Sequence, residues 1–322
     1  MTSPLFHSAP IFPPGAAGEM SHCATLVELA DGDVIAAWFS GSFETAPDQA
    51  IFAARLRNGS TRWAPPSVIA DTPHRADGQP VLYAHPSGAL WLFFVTITER
   101  DWTSARLQLQ VAPDGTHWSA PRVLMDRLGL MSRSKPLTLR SGNILLPIYD
   151  EIQWQSLSMI SANQGESWHL GKPIVTPSGN IHPCIVPLAR GQLLAYLRTG
   201  GKGGWIWQTN SDDGGWTWQE PTPTQFPNPN SGIDLIRLSN GHLLLAFNDS
   251  PSRRTPLCVA LSEDEGHSFV YRRTLEDGDG EFSYPTLLET RDGHIHCVYT
   301  CRRKTIQHVV FDESWLTERM AN

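Results

Sequence analysis

Short apolar runs alternate with polar turns along the whole chain, and six of these turns share one form. In ADGDVIAAWF, PSGALWLFF, RSGNILLPIY, ARGQLLAYLR, SNGHLLLAFN and RDGHIHCVYT a polar turn containing Gly leads into an apolar run. A second short apolar run, such as ATLVEL, PVLYA or PTLLET, precedes the turn. Two apolar runs joined by such a turn predict a β-hairpin, with Gly supplying the positive φ that the turn needs. The turn glycines are Gly32, Gly88, Gly142, Gly191, Gly241 and Gly293, at intervals of 49 to 56 residues. Between them recurs an aromatic position: Trp63, Trp118, Trp168, Trp218 and Phe269. The runs are rich in Val, Ile, Leu and aromatics and carry no long 3.6-residue stripe, which predicts strands throughout. A repeat of this length, with about four strands in each copy, predicts an all-β fold: a six-bladed β-propeller forming a single domain over residues 1–322. The sixth repeat ends near Val310 without its last strand. The N-terminal LFHSAPIF is the expected source of that strand, which would close the ring.

Composition narrows the function classes. Hydrophobic residues make up 40% of the chain, enough for a globular fold. The formal net charge of -7 argues against a nucleic-acid partner, although one local basic pocket would still accept an acidic ligand. The five cysteines are odd in number and form no CxxC pair, so reduced buried thiols are expected. No apolar stretch is long enough to span a bilayer, and no membrane partner is expected. The N-terminus lacks the basic and apolar regions of a secretory signal, so a cytoplasmic location is the expectation. His294 and His296 share one strand face, but packing accounts for them better than a metal does; no metal or cofactor is expected.

Propeller geometry selects candidate site residues without reference to any family. The first strand of each blade lines the central channel, so its opening residue faces the axis. Counting back nine or ten residues from five of the glycines, and seven from Gly142, gives His22, Gln79, Lys135, His182, Ser231 and Tyr284. A second tier, seven residues past the glycine, gives Tyr149, Arg198 and Asn248, with Asp150, Glu151, Arg302 and Arg303 nearby. The loop from Asn228 to Asp234 adds the polar groups of Asn230 and Asp234.

The stretch Ser211-Asp212-Asp213-Gly214-Gly215-Trp216-Thr217-Trp218, and its copies ending at Trp168 and Phe269, resemble the Asp box of the sialidase-like, BNR-repeat superfamily. The resemblance covers the whole chain. It implies that Asp213, Asp264, Trp168 and Trp218 are structural and that an active site lies in a bowl at the propeller axis. It further implies three arginines for a substrate carboxylate, a tyrosine nucleophile with a glutamate partner, and an aspartate acid/base. Tyr284 matches the nucleophile and Arg254 the third arginine. Asp48 or Glu44 lies in the loop of the acid/base. His22 stands where the first arginine belongs. Trp205 or Trp207 occupies the strand of the second, leaving Arg198 as its nearest substitute. Glu281, three residues before Tyr284, is the candidate proton acceptor.

These readings give Tyr284, Glu281, Asp48, His22 and His182 as catalytic candidates. Arg198, Arg254, Lys135, Gln79, Tyr149, Asn230, Asp234, Asn248 and Arg302 are the substrate-binding candidates. The expected function is an exo-acting glycoside hydrolase on a terminal acidic sugar of an oligosaccharide or glycoconjugate. A lyase cleaving a uronate glycan by β-elimination is the alternative, and a non-catalytic sugar-binding propeller the third possibility.

Overall fold

All six predicted hairpins form, with a single turn geometry. Each turn glycine bonds the carbonyl three residues before it, as Gly32 does with Leu29, and adopts a φ between 83° and 95°. A Cβ is disfavoured in that conformation, which is why glycine marks every repeat. The computed structural model describes residues 4–201 and 204–318 and is a six-bladed β-propeller. Its inner strands are Met20–Glu28, Asp77–Ala84, Leu130–Ser132 with Leu137–Thr138, Asn180–Pro187, Asp234–Arg237 and Phe282–Glu289.

The N-terminal strand Phe6–Pro10 is the outer strand of the sixth blade. It runs antiparallel to Thr305–Phe311, with Phe6 opposite Phe311 and Pro10 opposite Gln307. The two chain ends are thereby stitched into one sheet, and the edge that an unfinished blade would expose is covered. Second strands such as Val34–Gly41 are buried along their whole length. Both of their faces pack against neighbouring blades, so they read as continuous apolar runs and not as alternating ones. One core cluster joins Phe93 and Trp91 of the second blade to Tyr149 and Trp168 of the third.

The Asp boxes are hydrogen-bonded turns between third and fourth strands. Asp213 Oδ1 accepts from Ser211 Oγ and from the Thr217 N–H, both at 2.9 Å, and Ser211 Oγ accepts from the Gly215 N–H at 2.9 Å. Asp264 repeats the pattern with Ser262, Gly266 and Ser268, and Asn163 with Ser161, Gly165 and Ser167. Asp213→Ala removes the acceptor of this turn, and each lost bond is worth about 1 kcal/mol net. Its melting temperature should fall by a few degrees, while activity per folded molecule stays at the wild-type level. A loss of activity at unchanged melting temperature would place the box in the active site instead.

Chain direction fixes which loops can form a site. First strands run away from one mouth of the channel to the hairpin turns, and second strands return. The loops after second strands and the links between blades therefore gather at the first mouth, while the hairpin turns and Asp boxes gather at the other.

Candidate functional site

A polar bowl occupies the mouth where the interblade links meet. At its floor the inner strands carry a shared irregularity: the pairing register shifts after His22, Gly78, Ile181 and Ser283. Within these bulges Cys23, Gln79, His182 and Tyr284 hold φ values of 58°, 50°, 51° and 55°. A non-glycine residue in this region costs on the order of 1–3 kcal/mol and is held there only by its surroundings. Each of the four lies nine residues before its hairpin glycine. The same offset gives Arg133 in the third blade and Gly232 in the fifth.

Tyr284 is the centre of the cluster. It is buried, and its ring lies 4.2 Å from the His22 ring and 5.5 Å from the His182 ring, between centroids. Its hydroxyl accepts a 2.8 Å bond from Arg198 Nη1. The guanidinium carbons of Arg254, Arg198 and Arg133 stand 5.4, 5.6 and 5.7 Å from its ring centre. The ring also rests against Gly232, where an added Cβ would come within 3.2 Å of Cγ.

The second tier stacks on this floor. Tyr149 packs against His182 at 4.9 Å between ring centroids. Asn230 brackets two arginines: its side-chain oxygen accepts from Arg198 Nε at 2.9 Å and its carbonyl from Arg254 Nη2 at 3.2 Å. Glu281 is gripped by Arg254 Nη1 at 2.7 Å, Arg303 Nε at 2.9 Å and Ser283 Oγ at 2.6 Å. Burial alone would raise the Glu281 carboxyl, but Arg254 and the bonds from Ser283 and Arg303 outweigh it and hold it below the usual range. Arg303 also reaches Glu44 of the first blade at 2.5 Å.

Burial and the surrounding arginines set the protonation of the two histidines. His22 is driven well below its ordinary value by burial, then by Arg303, Arg254, Arg133 and Arg198. His182 is driven down by burial and by Arg198, Arg133 and Arg254. Both are therefore held neutral. His22 Nδ1 is bonded to Thr300 Oγ1 at 2.8 Å, while its Nε2 is buried with no partner. Glu151, on the loop beyond Tyr149, is pushed up to about 7, mainly by burial, against the opposing pull of Arg198.

The structure thus brings together Tyr284, His22, His182, Arg198, Arg254, Asn230, Tyr149 and Glu281 in one bowl. Gln79 shares the floor ring, accepting from Cys23 Sγ at 2.8 Å. Five other candidates stand elsewhere. Lys135 and Asp234 lie deeper in the channel, where Lys135 Nζ donates to the Leu287 carbonyl and Asp234 accepts the Leu287 N–H at 2.7 Å. Both line a cavity of about 420 Å³ that also includes hairpin-side residues such as Leu238 and Glu289. The third blade's inner strand is broken into two pieces, and counting seven back from Gly142 stops two residues short of Arg133 and lands below the bowl. Asn248 is fully buried and bonds the Phe282 carbonyl at 2.8 Å, supporting the bowl from behind. Arg302 is exposed and lies over the Phe282 ring; its neighbour Arg303 points to Glu281 instead. Asp48 is exposed and turned to its own loop, accepting from Ser42 Oγ at 2.5 Å and its N–H at 3.2 Å. Those bonds lower its carboxyl and keep it ionised. Among the described residues no cluster of His, Cys, Asp or Glu fits a metal ion.

Comparisons with known proteins agree with this architecture. The BNR repeat-like domain family matches residues 32–297. No curated protein matches the chain. Among solved structures, a Hadza microbial sialidase superposes with a TM-score of 0.83 at 18% identity, covering 96% of this chain and 69% of its own. A protein of unknown function from Dyadobacter fermentans gives a TM-score of 0.81 at 16% identity, covering 95% and 99%. The intramolecular trans-sialidase from Ruminococcus gnavus gives 0.78 at 15% identity, covering 97% and 99%. At these identities the likeness speaks for the fold. With the repeats, the ring and the Asp boxes in place, the chain is a member of the BNR repeat-like domain family.

Proposed function

We propose that the protein is a carbohydrate-active enzyme that cleaves the glycosidic bond of a terminal sugar bearing a carboxylate, with Tyr284 as nucleophile. The observation that carries this reading is the floor of the bowl: a strained tyrosine whose hydroxyl meets Arg198 and whose ring is flanked by three guanidiniums. Arginine presents a planar fork that matches a carboxylate, and Asn230 holds Arg198 and Arg254 side by side. A neutral phenol attacks a carboxylate-bearing sugar without the repulsion an Asp or Glu would meet; sialidases are the known case of a Tyr nucleophile. The R. gnavus neighbour is itself solved in complex with oseltamivir carboxylate, a ligand of this charge.

In this mechanism His182, neutral and beside the ring, takes the phenolic proton. Tyr284 Oη then bonds to the anomeric carbon as the bond to the leaving oxygen breaks. Glu151 gives that oxygen a proton, and water later releases the sugar. Glu281, saturated by Arg254, Arg303 and Ser283, keeps the arginines in place and is not the proton acceptor. Because Glu151 must be protonated, kcat should fall as pH rises through about 7.

A second reading is favoured by one atom. His22 Nε2 is buried, neutral and unpartnered beside Tyr284. On a uronate it would remove the proton from the carbon next to the carboxylate while the bond from the β carbon to its oxygen breaks and the Tyr284 hydroxyl gives that oxygen a proton. The product would be an unsaturated uronate and no covalent adduct would form. The deciding experiment incubates the protein with a methylumbelliferyl N-acetylneuraminide and, separately, with an oligosaccharide containing internal glucuronate. Released fluorophore, with a sugar trappable on Tyr284, supports hydrolysis. Ultraviolet absorbance of a conjugated double bond from the glucuronate supports elimination. Turnover of neither probe removes both readings.

A further inference from the structure

Arg133 is a buried cation to which no carboxylate among the described residues is bonded. It is 2% exposed, and its bonds go to neutral oxygens: Thr286 Oγ1 at 3.0 Å from Nη1, and the carbonyls of Tyr284 and Pro285, both at 2.9 Å from Nη2. Its Nε has no partner. Burying an unpaired charge costs several kcal/mol even after relaxation, so such a group persists where its surroundings over-determine it or a function requires it. Apolar residues of similar volume would fill the same channel at less cost.

The placement of its bonds is specific. Arg133 stands on the third blade, and all three acceptors are on the sixth, directly across the channel. They are consecutive residues of the bulge in which Tyr284 takes φ 55°. The proline that follows Tyr284 removes one backbone donor, so the bulge has few ladder bonds to hold it. Thr286 Oγ1, which accepts from Arg133, donates in turn to the Ala24 carbonyl at 2.7 Å, tying the same bulge to the first blade. Among the described residues no guanidinium bonds the carbonyls of the two other bulges with a proline, at Gln79-Pro80 and His182-Pro183. The clamp is thus applied to the blade that carries the tyrosine.

We propose that Arg133 is the positioning residue for Tyr284: it fixes the two carbonyls of the strained bulge so that the phenol points at Arg198 and His182. This rests on the reading of Tyr284 as the reacting residue. It also gives the buried charge a task that a merely stabilising residue would not need, since a neutral filler would stabilise the channel better.

The test compares Arg133→Met and Arg133→Lys with Tyr284→Phe, on the N-acetylneuraminide probe or, if elimination is the reaction, on the glucuronate oligosaccharide. Arg133→Met keeps the bulk and removes the charge and all three bonds. It should lower kcat by about 10- to 100-fold, the scale of a small misplacement of a reacting group, with KM changed less than about twofold. Its melting temperature should stay level or rise, because an unpaired charge has left the core. Arg133→Lys keeps the charge but cannot bridge two carbonyls and a hydroxyl at once, and kcat should fall by about 10-fold with KM again steady. This second variant decides the matter if the first does not fold. Fluorine NMR of fluorotyrosine-labelled protein adds a readout independent of turnover: the resonance missing in Tyr284→Phe should broaden or split in both Arg133 variants. Wild-type kcat in a folded Arg133 variant, with Tyr284→Phe inactive, overturns the positioning role and leaves the function intact. A KM effect alone overturns it too, since it would make Arg133 a ligand contact. An active Tyr284→Phe overturns both readings at once.

Discussion

Tyr284→Phe should lower kcat by roughly 100-fold or more, the scale of a group that attacks or moves a proton in the transition state. The folded protein should be nearly unaffected. The phenol oxygen has one bond, from Arg198 at 2.8 Å, and the ring keeps its contacts with His22, His182 and Gly232. The loss of that bond costs about 1–3 kcal/mol because it leaves a guanidinium N–H unpaired, and the bowl lets water replace it. Circular dichroism should match wild type and the melting temperature should fall by no more than a few degrees, while turnover collapses. In the hydrolytic reading the variant also loses the site of the covalent glycosyl adduct, which mass spectrometry of the trapped wild type would locate. Near-full turnover by Tyr284→Phe would sink the mechanism at its centre.

Arg198→Leu should cost about 100- to 1000-fold in kcat/KM, as expected when a hydrogen-bonded charge that faces a charged ligand is removed. Its consequences split between the two constants. The arm toward a substrate carboxylate acts in the ground state and raises KM. The bond to the Tyr284 hydroxyl acts on the reacting atom and lowers kcat. No carboxylate is stranded, because the partners of Arg198 are Asn230, His182 and the Tyr284 hydroxyl. The fold should hold, and His182, relieved of the nearest positive charge, should titrate higher than in wild type, though still below an exposed histidine because burial remains the larger cause. A drop of less than about fivefold would mean that the carboxylate is bound elsewhere, with Arg254 and Arg303 the next residues to examine.

The repeat was legible because it is written in local chemistry. Each hairpin needs a glycine at positive φ, and each Asp box needs a short side chain that folds back on its own turn, so both recur in one-dimensional text. The closing strand was legible for a related reason: a blade left one strand short must take it from somewhere, and Phe6–Pro10 was the spare apolar run. The axial histidines, Tyr284 and the second tier of Tyr149 and Arg198 followed from counting along strands whose length the turns fix.

What lay out of reach was set by irregularities that leave no local mark and by partners far away in the chain. The bulges add residues to inner strands, and a single-residue error exchanges the faces of a strand. Counting nine back in every blade would have found Arg133; the departure to seven at Gly142 found Lys135, which faces Leu287 below the bowl. Glu281 and Tyr284 are neighbours in sequence and suggested a proton pair. The tertiary structure gave the carboxylate to Arg254 and Arg303 from two separate loops and left the phenol to Arg198 from the strand Leu193–Thr199 of the fourth blade. The two histidines are held neutral by burial and by arginines that converge from different blades, whereas Glu151 is pushed up by burial against the pull of Arg198. The sequence by itself determined the blade, the ring and the ends at which each loop emerges, because those depend on bonds between residues a few positions apart. Which charges meet, and therefore which groups can hold or give a proton, depended on the closure of the ring, which sets distances that no stretch of sequence contains.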